Sequence, residues 1–164
     1  HAPWQGGFGT TLAWKGLSLS AQFSWVGDRW MLNNDRYFDE SNGRFSTYNQ
    51  SRRLLNRWKQ PGDITDIPAH GHYTEFDSRL LEDASFLRLQ SATIGYTFPE
   101  KWMSKIHVRK LRIYVTGTNL FCLTKYSGYD PEVDTRRTTP LTPGVDYSAY
   151  PKSRGFVAGI NLTF

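Results

Sequence analysis

From Leu17 to Trp25 the chain alternates without an error: Leu17, Leu19, Ala21, Phe23 and Trp25 are apolar, while Ser18, Ser20, Gln22 and Ser24 are polar. A period of two sends successive side chains to opposite faces of an extended strand, so this segment has one apolar face and one hydroxyl-rich face. The last ten residues repeat the pattern, with Phe156, Ala158, Ile160, Leu162 and Phe164 opposing Val157, Gly159, Asn161 and Thr163. From Leu111 to Asn119, Leu111, Ile113 and Val115 oppose Arg112, Tyr114, Thr116 and Thr118. From Ala92 to Phe98, Ala92, Ile94, Tyr96 and Phe98 oppose Ser91, Thr93, Gly95 and Thr97, and a weaker fifth segment runs from Phe8 to Trp14. Phe86 to Leu89 alternates in the opposite phase to Ala92 onward, which predicts a bulge near Gln90 or Ser91.

The connections alternate too. Lys15-Gly16 reads as a two-residue hairpin turn, Gly27 to Ser85 as a long excursion, Pro99 to Lys110 as a short turn holding one helical turn, and Leu120 to Arg154 as a second long excursion. Short, long, short, long is the sidedness of a transmembrane barrel with tight periplasmic turns and extended outer loops. No run of about 18 apolar residues occurs and the mean hydropathy is -0.56, which excludes a membrane-spanning helix. It does not exclude a barrel wall, whose alternation averages out. Five strands cannot close such a barrel, so the missing strands are expected upstream of His1 or on another chain. His1-Ala2-Pro3-Trp4 shows no Met, no basic region and no apolar signal segment, and reads as the start of a piece cut from something longer. The expectation is an all-β fold of about five antiparallel strands from a large transmembrane β-barrel, with two long extracellular loops spanning the rest of residues 1–164.

Composition narrows the function classes. The single Cys122 rules out an intrachain disulfide framework and reads as a small filler near a strand end. A net charge of +5 would suit an acidic partner if clustered, but Arg and acid are interleaved from Asp28 to Leu81, so nucleic-acid binding is not expected. Lys101, Lys105, Arg109 and Lys110 fall in a short turn and read as its solvated face. No nucleophile, base and orienter spacing and no Gly-rich phosphate loop stands out, so neither enzyme activity nor a cofactor is expected. Asp63 and Asp66 are two acids, as a glycosidase needs, but Pro and Gly punctuate their block as a loop frame.

Three sets of residues remain as binding candidates. Trp30, Tyr37, Phe38, Tyr48, Trp58 and Tyr73 lie in the first long excursion, where flat apolar rings could stack on sugars, pack on a partner, or simply hold the loop together without regular strands. Asp130, Glu132 and Asp134 form D-x-E-x-D, a weak Ca²⁺-loop resemblance that lacks the Gly and the distal Glu, so no metal is expected. His70 and His72 leave a Zn²⁺ site half built. Trp14, Trp25 and Tyr96, near strand ends, read as an interfacial aromatic girdle. A rival reading of the same alternation is a secreted carbohydrate-binding β-sandwich.

Ordered blocks carry a family resemblance. Gly6-Gly7-Phe8, Trp14-Lys15-Gly16-Leu17-Ser18-Leu19-Ser20, Arg57-Trp58-Lys59-Gln60-Pro61-Gly62-Asp63 and Thr65-Asp66-Ile67-Pro68 come first. Phe86-Leu87-Arg88-Leu89, Ile94-Gly95-Tyr96-Thr97-Phe98-Pro99, Gly117-Thr118-Asn119-Leu120, Tyr129-Asp130-Pro131-Glu132-Val133 and Gly159-Ile160-Asn161-Leu162-Thr163-Phe164 follow. In this order the chain resembles the C-terminal region of SusC/RagA-type TonB-linked transporters over nearly its whole length. The resemblance implies a 22-stranded barrel in the outer membrane of a Bacteroidetes-type bacterium, filled by an N-terminal plug and energised by TonB through parts absent from this chain. It implies import of oligosaccharides or peptides together with a SusD-like surface lipoprotein. It also makes Phe164 the aromatic signal read by the outer-membrane assembly machinery.

Overall fold

The computed structural model describes residues 2–104, 107–135 and 144–164. The chain divides into two compact units: a sheet unit of 2–27, 85–124 and 152–164, and a loop unit formed by Asp28–Ala84 with Lys125–Pro151.

In the sheet unit five strands, β1 (Trp4–Trp14), β2 (Leu17–Gly27), β5 (Phe86–Thr97), β6 (Lys110–Thr124) and β8 (Gly155–Thr163), pair antiparallel in the order β1-β2-β5-β6-β8. Every expected strand is present, and most are longer than alternation alone marked. β1 begins at Trp4 and β6 runs on to Thr124, so the second excursion starts later than Leu120. The β1–β2 turn has positive φ at both Lys15 (46°) and Gly16 (89°), the twist a two-residue hairpin requires. The short turn after β5 holds one helical turn, α2 (Glu100–Met103); Lys105 of the basic cluster lies outside the described residues.

The register turns five separate alternations into one. Leu19 faces Leu12 and Ile94, Ile94 faces Val115, and Val115 faces Ala158. Directly opposed residues share a face, so the apolar sets of all five strands merge into a continuous surface. The phase reversal at Gln90 is what keeps it continuous. Gln22 pairs with Ser91 but Phe23 with Leu89, and on the other side Ser91 faces Thr118 while Leu89 faces Phe121. Gln90 is the extra residue, and its amide donates to the Ser24 hydroxyl at 3.0 Å. Phe8 stacks on Phe23 at 4.9 Å, and Phe121 approaches Phe23 at 6.4 Å.

The opposite face is hydrogen-bonded. The hydroxyls of Thr93 and Thr116 meet at 2.8 Å, Arg112 donates to Ser18, and Ser18 to the Gly95 carbonyl. Gly159 faces Tyr114, whose ring lies where a β-carbon would stand, at 2.5 Å. The sheet unit is a single layer. Its apolar face stays open to the surroundings, with Ile94 58% and Ile160 64% exposed.

The loop unit has its own structure, including strands that the alternation did not reveal. β3 (Trp30–Asn33), β4 (Leu81–Asp83) and β7 (Val145–Asp146) form a small sheet in the order β4-β3-β7, with β7 parallel to β3. A short helix α1 (Asp35–Asp39) follows β3, and 3-10 turns occupy Arg52–Asn56 and Ser78–Leu80. Met31, Ala84 and Tyr126 form a buried cluster with Val133 packed against it.

Candidate functional site

The loop unit is organised around buried charge. Arg36, on α1, is 7% exposed and Glu40, one turn later, 1%. The guanidinium grips Glu40 with Nε at 3.0 Å and Nη2 at 3.1 Å, and its Nη1 donates to Glu82 at 2.8 Å and to the Arg79 carbonyl at 3.0 Å. Arg53 and Arg79 reach Glu40 at 3.3 and 3.5 Å. Such a cluster is tolerated inside a protein only when each lone pair and N–H finds a partner, as here. Burial alone would raise Glu82. The Ser127 N–H and hydroxyl at 2.9 and 2.8 Å, together with Arg36, outweigh it and hold Glu82 below the usual glutamate range.

A second lock lies within the later excursion, and Asp35 ties that excursion to the earlier one. Tyr126 donates to Asp146 at 2.7 Å, and Asp146 is fully buried. Burial and the adjacent carboxylate push the phenol well above its ordinary range, and burial likewise raises Asp146. Asp35 accepts from the Ser148 N–H at 2.9 Å and its hydroxyl at 3.0 Å.

Between these locks lies a cavity of about 530 Å³, lined by Asn33, Asp35, Asp39 and Arg53 and walled by Phe38, Tyr48, Tyr129 and Tyr147. Phe38 holds the wall together, 5.9 Å from Tyr48 and 5.6 Å from Tyr147. A second cavity of about 410 Å³ is flanked by Trp58 and Tyr73, with Asp66, Glu75 and Arg79 on its rim.

The aromatic candidates from the sequence therefore disperse. Tyr48 lines the first cavity; Trp58 and Tyr73 share the second. Trp30 is exposed on β3, with its indole N–H donated to Asp28 at 3.2 Å. Tyr37 requires a correction: it is 8% exposed, stacked on Phe76 at 4.1 Å and edge-on to Phe45 at 5.8 Å, so it packs the unit rather than presenting a ring. Asp130 accepts from the Glu132 N–H at 2.9 Å, closing the turn that Pro131 stiffens. Among the described residues no three His, Cys, Asp or Glu side chains are grouped to hold a metal, and Asp130, Glu132 and Asp134 form no such group. Asp63 accepts from the N–H groups of Lys59 and Gln60 and frames a turn, as the punctuation implied. The strand containing Ile160 and Leu162 ends at Thr163, one residue before Phe164, whose side chain is 77% exposed. Asp39, Tyr129 and Tyr147 were not among the candidates. An Arg36-x-x-x-Glu40 spacing, one helical turn apart, is the sequence signal by which the ion pair at α1 could have been found.

A one-layer antiparallel sheet, apolar on one face and hydroxylated on the other, with short turns at one end and long excursions at the other, defines a segment of transmembrane β-barrel wall. Known proteins agree. A TonB-dependent receptor of Formosa agariphila is 33% identical over 71% of this chain and 12% of its own length, and the TonB-dependent receptor SusC of Bacteroides thetaiotaomicron is 28% identical over 81% of this chain and 13% of its own. The solved RagAB peptide transporter superposes with a TM-score of 0.84 at 40% identity, covering 98% of this chain and 17% of the other. The same importer in its 'closed-closed' state gives 0.83. No family model matches. The chain belongs to the TonB-dependent receptors of the SusC/RagA kind. It spans less than a fifth of the length of these relatives.

Proposed function

We propose that these 164 residues are the C-terminal wall segment and two outer loops of a TonB-dependent outer-membrane transporter that imports oligosaccharides or peptides with a SusD-like surface lipoprotein. The observation that carries this reading is the continuous apolar face, which no second layer of the sheet unit covers. An eleven-residue strand such as β2, at about 3.4 Å per residue and tilted by about 40°, rises about 28 Å, enough for an apolar band of roughly 25 Å. In this reading the lipid of the outer membrane takes the Leu17-to-Trp25 face, and Ser18, Ser20, Gln22 and Ser24 look into a polar lumen. Trp14 and Tyr96, both level with Leu17, sit at one rim, and Trp25 at the other.

TonB would act through plug and box segments of the whole receptor, and the assembly machinery would read Phe164. The 40% identity to a peptide transporter favours peptides over oligosaccharides as cargo. A secreted β-sandwich is disfavoured, because it needs two facing sheets and the sheet unit holds one. The reading contains no catalytic step. The test is to express the full receptor and measure growth and labelled-peptide uptake that depend on TonB. A receptor recovered in soluble form without detergent, or uptake indifferent to TonB, would overturn it.

A further inference from the structure

We infer that the short-turn end of the sheet unit binds the headgroups of net-anionic phospholipids, through Lys15, Lys101 and Arg109 beside the exposed rings of Trp14 and Trp102. The inference rests on the barrel-wall reading above and deepens it by naming the lipid that one rim prefers. In that reading the short turns face the periplasm, so the lipid is that of the inner leaflet.

Backbone bonds gather these residues at one edge. The Thr97 N–H donates to the Gly16 carbonyl at 2.8 Å, Phe98 to Leu111 at 3.0 Å, and Arg109 to Thr163 at 2.8 Å. The Lys15-Gly16 turn, the α2 connection and the ends of β6 and β8 therefore lie side by side. Trp14, Leu17, Tyr96, Ile113 and Ile160 oppose one another in the register, the last apolar row at this end to cross all five strands. Lys15 does not point away from that row, since its Nζ lies 5.0 Å from the centre of the Trp14 ring. In α2, Met103 is 8% exposed and Trp102 58%, so the helical turn buries Met103 and leaves Trp102 out beside the exposed Lys101. Exposed indoles suit the headgroup layer, where an apolar body and a polar N–H meet different solvents.

Charge decides which headgroup fits. By sequence, Glu100 is the only acid in 2–27, 85–124 and 152–164. Among the described residues, Lys15, Lys101 and Arg109 enter no ion pair with it or with any other acid. Arg112 is set apart, because it donates to Ser18 and lies over Tyr114 on the hydroxylated face, which Lys110 shares by register. Lys105 lies outside the described residues. Unpaired cations at headgroup level favour a net-negative lipid over a zwitterionic one, whose phosphate already carries a cation of its own. An acidic protein could meet the same cations. Lipid also covers the apolar face that they border, which stays open across all five strands.

The test reconstitutes the purified full-length receptor in phosphatidylcholine vesicles with a trace of photoactivatable lipid, either phosphatidylglycerol or phosphatidylcholine, and maps the crosslinks by mass spectrometry. Both leaflets then hold the same lipid, so the far rim at Trp25 and Leu123 is an internal control. The ratio of phosphatidylglycerol to phosphatidylcholine crosslinks at residues 14–16 and 98–104 should exceed that at the far rim at least about threefold, within the effect of one cation at a membrane surface. The combined change Lys15→Gln, Lys101→Gln and Arg109→Gln should bring the two rims to about the same ratio, with phosphatidylcholine crosslinking unchanged. Raising salt from about 0.1 to 1 M should do the same to the unaltered receptor, because the screening length falls from about 10 to 3 Å. Equal ratios at the two rims of the unaltered receptor overturn the inference, leaving the barrel wall standing and an acidic protein as the rival occupant. A ratio that survives either the triple change or the added salt overturns the assignment to these cations. Absence of crosslinks from either lipid to the apolar face overturns the barrel reading and the inference with it.

Discussion

Arg36 is the residue on which the loop unit turns, because it bridges the buried Glu40 carboxylate and the largely buried Glu82 carboxylate. Arg36→Met should leave Glu40 and Glu82 facing each other and cost the unit about 3 to 5 kcal/mol. Limited proteolysis of the solubilised receptor should then cut within 28–84 at protease levels the parent resists; an unchanged pattern would contradict the role. Glu82 and the two raised aspartates give the unit opposing pH limbs. Glu82 lies below its ordinary 4.5 in the fold, so the stability it contributes is present above that value and is lost as pH falls through the lower folded one. Asp39 and Asp146 lie above their ordinary 3.8, so their contribution is present below 3.8 and is lost as pH rises through their raised values. Protease resistance followed from about pH 3 to 7 should lose its acid-side fall in Glu82→Gln and show a weaker opposite limb in Asp146→Asn, where Asp39 still contributes. A Glu82→Gln curve identical to the parent's would refute the first assignment. The role of Glu82 was not readable in the sequence, since its partners Arg36 and Ser127 are 46 and 45 residues away.

At the scale of the strands, the sequence was far more legible, because a period of two needs only local information. The alternation placed five strands, the Lys15-Gly16 turn and the Gln90 bulge. It missed the first half of β1, where Gly6, Gly7 and Gly9 carry no apolar or polar phase, and it missed β3, β4 and β7, which at four, three and two residues are too short to show a period. Gly16→Val should strain the hairpin twice: its φ of 89° disfavours a β-branched residue, and its β-carbon would stand 2.5 Å from the Thr97 carbonyl oxygen. Refolding of the full receptor into a heat-modifiable barrel should slow or fail, whereas equal yield would show that the turn does not set the register. Phe23→Arg should cost about 2 to 4 kcal/mol if Phe23 lies at the bilayer midplane and less toward a rim. Urea titration of folding into lipid vesicles measures this, and no change would place Phe23 away from lipid.

For the whole molecule, the two excursions should both be outside the cell, so protease added to intact cells should nick them and spare Lys15-Gly16; cleavage at that turn alone would invert the topology. Phe164→Ser in the full receptor should lower the amount of inserted barrel, and normal insertion would remove Phe164 as a signal. The loop unit is stitched from pieces far apart in the chain: Asp35 meets Ser148 across 113 residues and Arg29 meets Val133 across 104. Closing such distant contacts is entropically slow and depends on what comes between. β3 can gain β7, and Asp35 can gain Ser148, only once the ribosome has supplied β5, β6 and the segment that carries β7. The Asp35–Ser148 contact therefore acts as a timestamp: wherever it is closed, the polypeptide between the two residues has already been made.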